Sequence, residues 1–220
     1  SLGCDKNLVD TEKMLGILGS EGYCFVDDET DADVIVVNTC CFIGDAKEES
    51  VNTILDMARY KKEGKLKALI VTGCLAQRYK NEIIEEIPEV DAVLGTTSYE
   101  EIAEAVKKAL GGDRLLSFEN IDAPVSEKTK RLVTTGGHYA FLKIAEGCDK
   151  RCTYCIIPYL RGRYRSVPME QLVREAEELA QIGVKELFLV AQETTLYGKD
   201  LYGEKKRLEL LTRLCGVSVI

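Results

Sequence analysis

Asp33-Val34-Ile35-Val36-Val37-Asn38 is an unbroken run of β-branched residues held between two polar ones. A strand with one wet face alternates apolar and polar side chains, whereas a continuous apolar run belongs to a strand covered on both faces, as in a parallel sheet. Upstream, Leu8, Met14, Leu15 and Leu18 recur at helical spacing over residues 7–19, with Gly19 as a stop and a short strand expected at 23–26. Downstream, Val51, Ile54, Leu55 and Ala58 mark a helix over 44–60, and Leu66-Lys67-Ala68-Leu69-Ile70-Val71-Thr72 is a second buried strand. A helix over 76–86, a strand at 91–94 and a helix over 100–110, closed by Gly111-Gly112, complete the alternation. Such alternation implies an α/β fold, a parallel sheet with helices on both faces, spanning residues 1–112.

Residues 113–137 carry Pro124, Ser126 and the charged run Glu127-Lys128-Thr129-Lys130-Arg131. They read as a linker, with a strand allowed at 115–118, and His138 closes them as a surface or packing residue. From Tyr139 the β/α pattern restarts: a strand through Ala145, a helix over 169–182 opened by Pro168 and stopped by Gly183, a strand at 187–190, and a helix over 207–215. Repeated β/α units with chemistry on the loops after the strands predict the first units of a β/α barrel in a second domain, 138–220.

The 220 residues carry 29 Lys+Arg against 37 Asp+Glu, a formal net charge of −8. That balance argues against broad electrostatic binding to nucleic acid, which needs a positive surface. Nine cysteines, with neither a signal peptide nor a long apolar span, point to a reducing cytoplasm, no membrane partner, and cysteines that serve a metal. The chain starts without Met at Ser1-Leu2-Gly3 and stops at Val217-Ser218-Val219-Ile220, so it reads as part of a longer protein.

The chemistry concentrates in Glu146-Gly147-Cys148-Asp149-Lys150-Arg151-Cys152-Thr153-Tyr154-Cys155, where three cysteines follow the spacing CxxxCxxC. Three thiolates on one short loop can bind one soft metal centre. Zinc ordinarily takes four protein ligands, and neither a fourth cysteine nor a histidine lies nearby; His138 is the chain's one histidine. A cubane iron–sulfur cluster suits three cysteines better, leaving one iron open to a non-protein ligand. A zinc or disulfide loop is the bland alternative. Cys4, Cys40 and Cys74 each follow a predicted strand, at the carboxyl edge where open α/β sheets build their sites. On pattern alone they make either a second metal site or three small buried hydrophobes. Cys24, Cys41 and Cys215 read as structural.

CxxxCxxC with Tyr154 before its last cysteine resembles the radical S-adenosylmethionine (SAM) enzymes, and the loop 148–159 followed by Leu160-Arg161-Gly162-Arg163 resembles the methylthiotransferases among them. Ser1-Leu2-Gly3-Cys4-Asp5-Lys6-Asn7-Leu8-Val9-Asp10, Asn38-Thr39-Cys40 and Thr72-Gly73-Cys74-Leu75-Ala76-Gln77 resemble the three cysteine motifs of that family's N-terminal domain. The first of these, with Ala191-Gln192-Glu193-Thr194-Thr195-Leu196-Tyr197-Gly198, looks most like the branch that modifies ribosomes. The tRNA branch, acting on an isopentenylated adenosine, usually shows a CQMN-like first motif, absent here.

The resemblance implies two 4Fe-4S clusters. One lies on Cys148, Cys152 and Cys155 and reductively cleaves SAM to a 5′-deoxyadenosyl radical; an auxiliary one lies on Cys4, Cys40 and Cys74 and carries sulfur that a second SAM methylates. It implies Tyr154 near the adenine of SAM, a partial barrel, and both clusters facing one cavity between the domains; Gln192, by its position after the second strand of that domain, is a further candidate to hydrogen-bond SAM. The implied substrate is the β-carbon of one aspartate in a small-subunit ribosomal protein, met free or on the ribosome. The implied partner is a flavodoxin- or ferredoxin-type electron donor, with the enzyme a cytoplasmic monomer and a C-terminal TRAM β-barrel docking the substrate. Val167 departs from the arginine this family tends to carry in Ser-Arg-Pro.

Arg161, Arg163 and Arg165 alternate with aromatics and read either as a path for a carboxylate-bearing ligand or as a solvated loop. No Walker motif, GxGxxG or Ser/His/Asp arrangement is present. Three alternatives stand beside the ribosomal reading: a tRNA adenosine methylthiotransferase, a non-catalytic iron–sulfur electron carrier, and a zinc-stabilised interaction module.

Overall fold

In the computed structural model, which describes residues 1–126 and 130–218, the chain divides into two compact units, Ser1–Ile121 and Asp122–Ile220. Unit 1 is an α/β domain. Its elements are α1 (Asp5–Ser20), β1 (Val34–Thr39), α2 (Gly44–Lys62), β2 (Ala68–Gly73), α3 (Cys74–Tyr79), α4 (Asn81–Glu86), β3 (Ala92–Leu94), α5 (Ile102–Leu110) and β4 (Leu115–Ser117). The four strands run parallel in the order β1-β2-β3-β4, with Val36 opposite Ile70 and Ile70 opposite Ala92.

The continuous apolar runs are explained by the layers they touch. Side chains alternate across a strand, so Val34, Val36, Ile70, Ala92 and Leu94 share one face, and α1 (Met14, Leu18) and α5 (Ile102, Ala105, Val106) cover it. The opposite face meets α2, whose Ile54 and Ala58 are buried. Leu69, Ile70 and Val71 are 0% exposed because both faces are closed.

Three local expectations differ. Residues 23–26 form no strand; they are loop, and Phe25 and Val26 are exposed. The helix expected over 76–86 breaks at Lys80, whose φ of 46° no helix continues, giving α3 and α4. Residues 115–117, placed in the linker 113–137, form the fourth strand of the sheet.

Unit 2 contains β5 (Tyr139–Lys143), β6 (Ala145–Glu146), α6 (Ile157–Arg161), β7 (Arg165–Ser166), α7 (Met169–Gln181), β8 (Glu186–Val190), α8 (Lys199–Tyr202) and α9 (Arg207–Leu214). β5 and β8 pair in parallel with α7 between them in sequence, which is one β/α repeat; β6 and β7 form a small antiparallel pair. Leu142, Ile144, Leu172, Ala176, Tyr197 and Leu210 make the buried centre. Among the described residues no helix is long and apolar enough to cross a membrane.

Candidate functional site

In unit 1 the parallel register decides where the cysteines stand. Thr39 pairs with Gly73, so the residues that follow, Cys40 and Cys74, leave the sheet side by side at its carboxyl edge. Gly73 is at φ 92°, and a Cβ there would meet the Asn38 carboxamide oxygen and, at 2.5 Å, the Thr39 carbonyl, so only glycine lets β2 turn into α3 against β1. Buried Ser50 on α2 grips Cys40 from both sides: its Oγ accepts from the Cys40 N–H at 3.0 Å and donates to the Cys40 carbonyl at 2.8 Å.

Cys4 arrives from the chain start. The Leu2 N–H donates to the Asn38 carbonyl (2.9 Å), and Asn7 Nδ2 donates to Leu2 O (2.9 Å) and Thr39 O (3.0 Å). Asn38 Nδ2 returns a bond to the Asn7 carbonyl at 2.9 Å. These bonds tie residues 2–7 to the end of β1, although no strand precedes Cys4 among the described residues. A Cβ on Gly3, next to Cys4, would lie 2.7 Å from Cys40 Sγ, so glycine is what lets Cys40 approach that backbone. Cys4 is exposed, while Cys40 and Cys74 are buried.

The fourth thiol of this edge, Cys41, is buried, and its titration is pushed up to about 11 by that burial and by Cys74 and Cys40, against the opposing pull of Arg78. It therefore stays a protonated thiol at neutral pH. Cys24 and Cys215, which read as structural from sequence, are both exposed.

In unit 2 the CxxxCxxC loop leaves β6 and folds back against residues 162–163, just before β7. Gly147 (φ 74°) makes this possible, because a Cβ there would run into the carbonyls of Arg163 and Gly162. The Cys148 N–H donates to Gly162 O at 3.0 Å, and the Cys155 N–H closes a turn on Cys152 O at 3.0 Å. Arg151 stands at φ 45° between them. Cys152 is exposed, Cys148 and Cys155 are half-buried, and Tyr154 is 88% exposed. Lys150 pairs with Glu193 beyond β8, and that ammonium, with Thr195, holds the Glu193 carboxyl down at about 2.

Beneath the loop lies a buried charge cluster that the sequence does not advertise. Glu146 Oε2 accepts from Lys143 Nζ (2.9 Å) and Arg161 (3.2 Å), while Oε1 accepts from Gln192 Nε2 (3.0 Å) and the Gly147 N–H (3.2 Å). Burial opposes ionisation of Glu146, but Lys143 and Arg161 overcome it and hold the carboxyl well below the usual range. Lys143 at i−3 is the local signal that could have found the pair, whereas Arg161 and Gln192 are remote in sequence.

The arginines do not act as a set. Arg161 is buried on Glu146. Arg165 donates to the carbonyls of Arg163 (2.8 Å) and Arg161 (3.2 Å) and faces Asp122 at 3.6 Å. Arg163 is exposed, with Asp122 at 4.0 Å. A lined path for a carboxylate therefore reduces to Arg163. Val167 packs in the core, and its carbonyl accepts from Tyr197 Oη at 2.9 Å, so this position serves packing. His138 is exposed, its ring edge-on to Tyr139.

Among the described residues no three Cys, His, Asp or Glu side chains stand as a set for a single metal ion. A cubane distributes three thiolates over three separate irons, a wider arrangement than the ligands of one ion. The donor set, thiols at one sheet edge and thiols on one open loop, fits that kind of group in chemistry.

The family model of the uncharacterised protein family UPF0004 matches residues 1–95, and that of the radical SAM superfamily matches residues 142–219. A ribosomal protein uS12 methylthiotransferase RimO of Lachnoclostridium phytofermentans is 66% identical over 220 residues, covering 100% of this chain and 50% of that protein. Over its full length the chain is similar to the radical SAM methylthiotransferases. A second methylthiotransferase of the same description, from Clostridioides difficile, is 52% identical over 217 residues, 99% of this chain and 49% of its own. The chain thus spans about half the length of the curated methylthiotransferases it matches. Among solved structures, a radical S-adenosylmethionine methyltransferase, TsrM, from Kitasatospora setae superposes with a TM-score of 0.59 at 13% identity, over 96% of this chain and 48% of that one. At that identity the likeness is one of fold.

Proposed function

We propose that this chain carries the cysteine sites of a SAM-dependent enzyme that adds a methylthio group to the β-carbon of an aspartate in ribosomal protein uS12. Cys148, Cys152 and Cys155 would hold one 4Fe-4S cluster, and Cys4, Cys40 and Cys74 a second. The observation that carries the reading is the presence of two thiol trios, one at the carboxyl edge of β1 and β2 and one on the loop after β6, in a chain whose relatives are named ribosomal protein uS12 methylthiotransferases. A reduced cluster with SAM supplies, when bound, the one-electron chemistry that activates an unreactive carbon, which no side chain can do at neutral pH.

The chain's own residues do the positioning. Gly73 and Gly3 bring Cys74, Cys40 and Cys4 to one edge, and Ser50 locks the Cys40 backbone. Cys41, the fourth thiol of that edge, is buried, and burial pushes its titration up to about 11. Gly147 lets the second loop fold back against residues 162–163, leaving Cys152 exposed and Cys148 and Cys155 half-buried. Exposed Tyr154 and the Gln192 carboxamide are the proposed SAM contacts. The electron donor is of flavodoxin or ferredoxin type, the compartment is a reducing cytoplasm, in keeping with nine free cysteines, and the protein acts as a monomer.

The test is anaerobic reconstitution of the full-length protein with iron and sulfide counted, followed by turnover against uS12, intact ribosomes and tRNA in parallel. Two clusters and a methylthio group on an aspartate are expected. Modification of tRNA alone would move the substrate to the nucleic-acid branch. Iron bound without SAM consumption would make the protein an electron carrier, and zinc in its place an interaction module.

A further inference from the structure

The cluster around Glu146 fixes more than its own charge. An ionised carboxylate is an acceptor at both oxygens, so it can receive a carboxamide only through the NH2 end. Gln192 meets Glu146 in this way: Nε2 donates to Oε1 at 3.0 Å. The opposite orientation would set two oxygens against each other. Gln192 Oε1 consequently points away from Glu146, and it is buried without a hydrogen-bond partner. Buried carbonyl oxygens ordinarily have one. Gln192 lies just past the carboxyl end of β8, the edge where β/α units bind their ligands, and Glu146 stands two residues before Cys148.

We infer that Glu146 is a positioning residue: by holding the Gln192 carboxamide nitrogen inward, it presents Gln192 Oε1 as a fixed acceptor for a hydrogen-bond donor of the adenosyl cofactor. This rests on the SAM-binding reading and goes beyond it by naming which end of the amide faces the ligand and what orients it. Three groups of such a cofactor donate: the base amino group, the ribose hydroxyls and the amino-acid ammonium. Lys143 and Arg161 hold the carboxylate in place from its other oxygen, so Glu146 has no freedom to turn away from Gln192.

The experiment measures equilibrium binding of S-adenosylhomocysteine, which has no sulfonium to cleave, to the anaerobically reconstituted protein. Analogues lacking one donor each (N6,N6-dimethyl, 2′-deoxy, 3′-deoxy and deaminated) identify the group that Gln192 accepts from. In the wild type, one deletion is expected to weaken binding about 5- to 30-fold, the size of one hydrogen bond. Gln192→Leu is expected to lose the same factor for the parent compound and to become indifferent to that deletion.

Glu146→Gln is expected to shrink the parent-to-analogue ratio to less than about two-fold, because an amide facing Gln192 accepts either orientation. A merely structural role would weaken every compound in parallel and leave the ratio alone. Should Glu146→Gln fail to fold, Glu146→Asp, which keeps the charge and withdraws it from Gln192, reads the same ratio. An unchanged ratio in Gln192→Leu overturns the acceptor, and an unchanged ratio in the Glu146 variants overturns the positioning role. Binding by the wild type with no sensitivity to any deletion overturns this inference alone; no binding at all overturns it together with the SAM reading.

Discussion

At the scale of single residues, glycines and one serine do as much for the two sites as the cysteines. Gly147→Ala would place a methyl against the Arg163 and Gly162 carbonyls at a positive φ, and backbone cannot yield as a side chain does. Overpacking and the left-handed conformation together should cost about 2–4 kcal/mol, read as a lower urea midpoint, with the Cys148 N–H to Gly162 bond lost and iron no longer retained on that loop. Cys41 offers a separate test by pH. Its thiol titrates at about 11 in the folded protein against about 8.5 unfolded, so between those values the unfolded chain releases a proton that the folded one keeps. The folded state then binds more protons than the unfolded one, and stability must fall as pH rises through that window. Urea midpoints of the metal-free protein from pH 8 to 11 should decline more steeply in the wild type than in Cys41→Ala. Both effects are invisible to spacing: CxxxCxxC names candidate ligands, but neither a glycine's clash partner nor a neighbouring thiol's protonation is written in local sequence.

At the scale of elements, legibility followed how local the cause was. β1 and β2 could be read because burial on both faces leaves a run of four β-branched residues at 34–37 and an apolar run at 68–71. The longer helices could be read from their 3.6-residue stripes, and α7 from Pro168 as well. A strand at 115–118 is legible, but its place in the sheet is not, because three residues of an edge strand carry no mark of the neighbour they pair with and a charged segment follows them. The break at Lys80 is not legible, because Ile83 and Ile84 extend the apolar period and nothing local shows that the backbone turns.

That turn is itself testable. Lys80 sits at φ 46°, ψ −116°, a conformation that disfavours any residue with a Cβ. Lys80→Gly should gain about 1 kcal/mol by relieving it and lose about 0.5 kcal/mol by removing the ammonium that lies 5.5 Å from the Phe118 ring. The urea midpoint should therefore rise slightly, whereas Lys80→Ala, which keeps the strain and loses the contact, should lower it. A fall in both variants would mean that the ammonium contact outweighs the backbone strain.

At the scale of the whole molecule, each unit has its own core and its own thiols. Met14, Leu18, Ile70, Leu94 and Ile102 belong to one core, and Leu142, Ile144, Leu172, Tyr197 and Leu210 to the other. Within the trios exposure varies: Cys4 and Cys152 are exposed, Cys148 and Cys155 half-buried, and Cys40 and Cys74 buried, each trio within its own unit. Removing one trio should therefore leave the other unit's packing and thiols intact. Replacing Cys148, Cys152 and Cys155 together by alanine should remove one cluster's iron and all deoxyadenosine production. Replacing Cys4, Cys40 and Cys74 should remove the other cluster's iron and all thiolation while SAM cleavage continues. Iron and sulfide counts with deoxyadenosine chromatography separate the two variants, and near-UV circular dichroism reports the packing. Loss of all iron in either triple variant would show that the sites load as one unit, and continued deoxyadenosine release after loss of the 148–155 trio would remove that loop from the cleavage chemistry. Because the two trios answer to different assays, a failure in one half of the prediction leaves the other half standing on its own measurement.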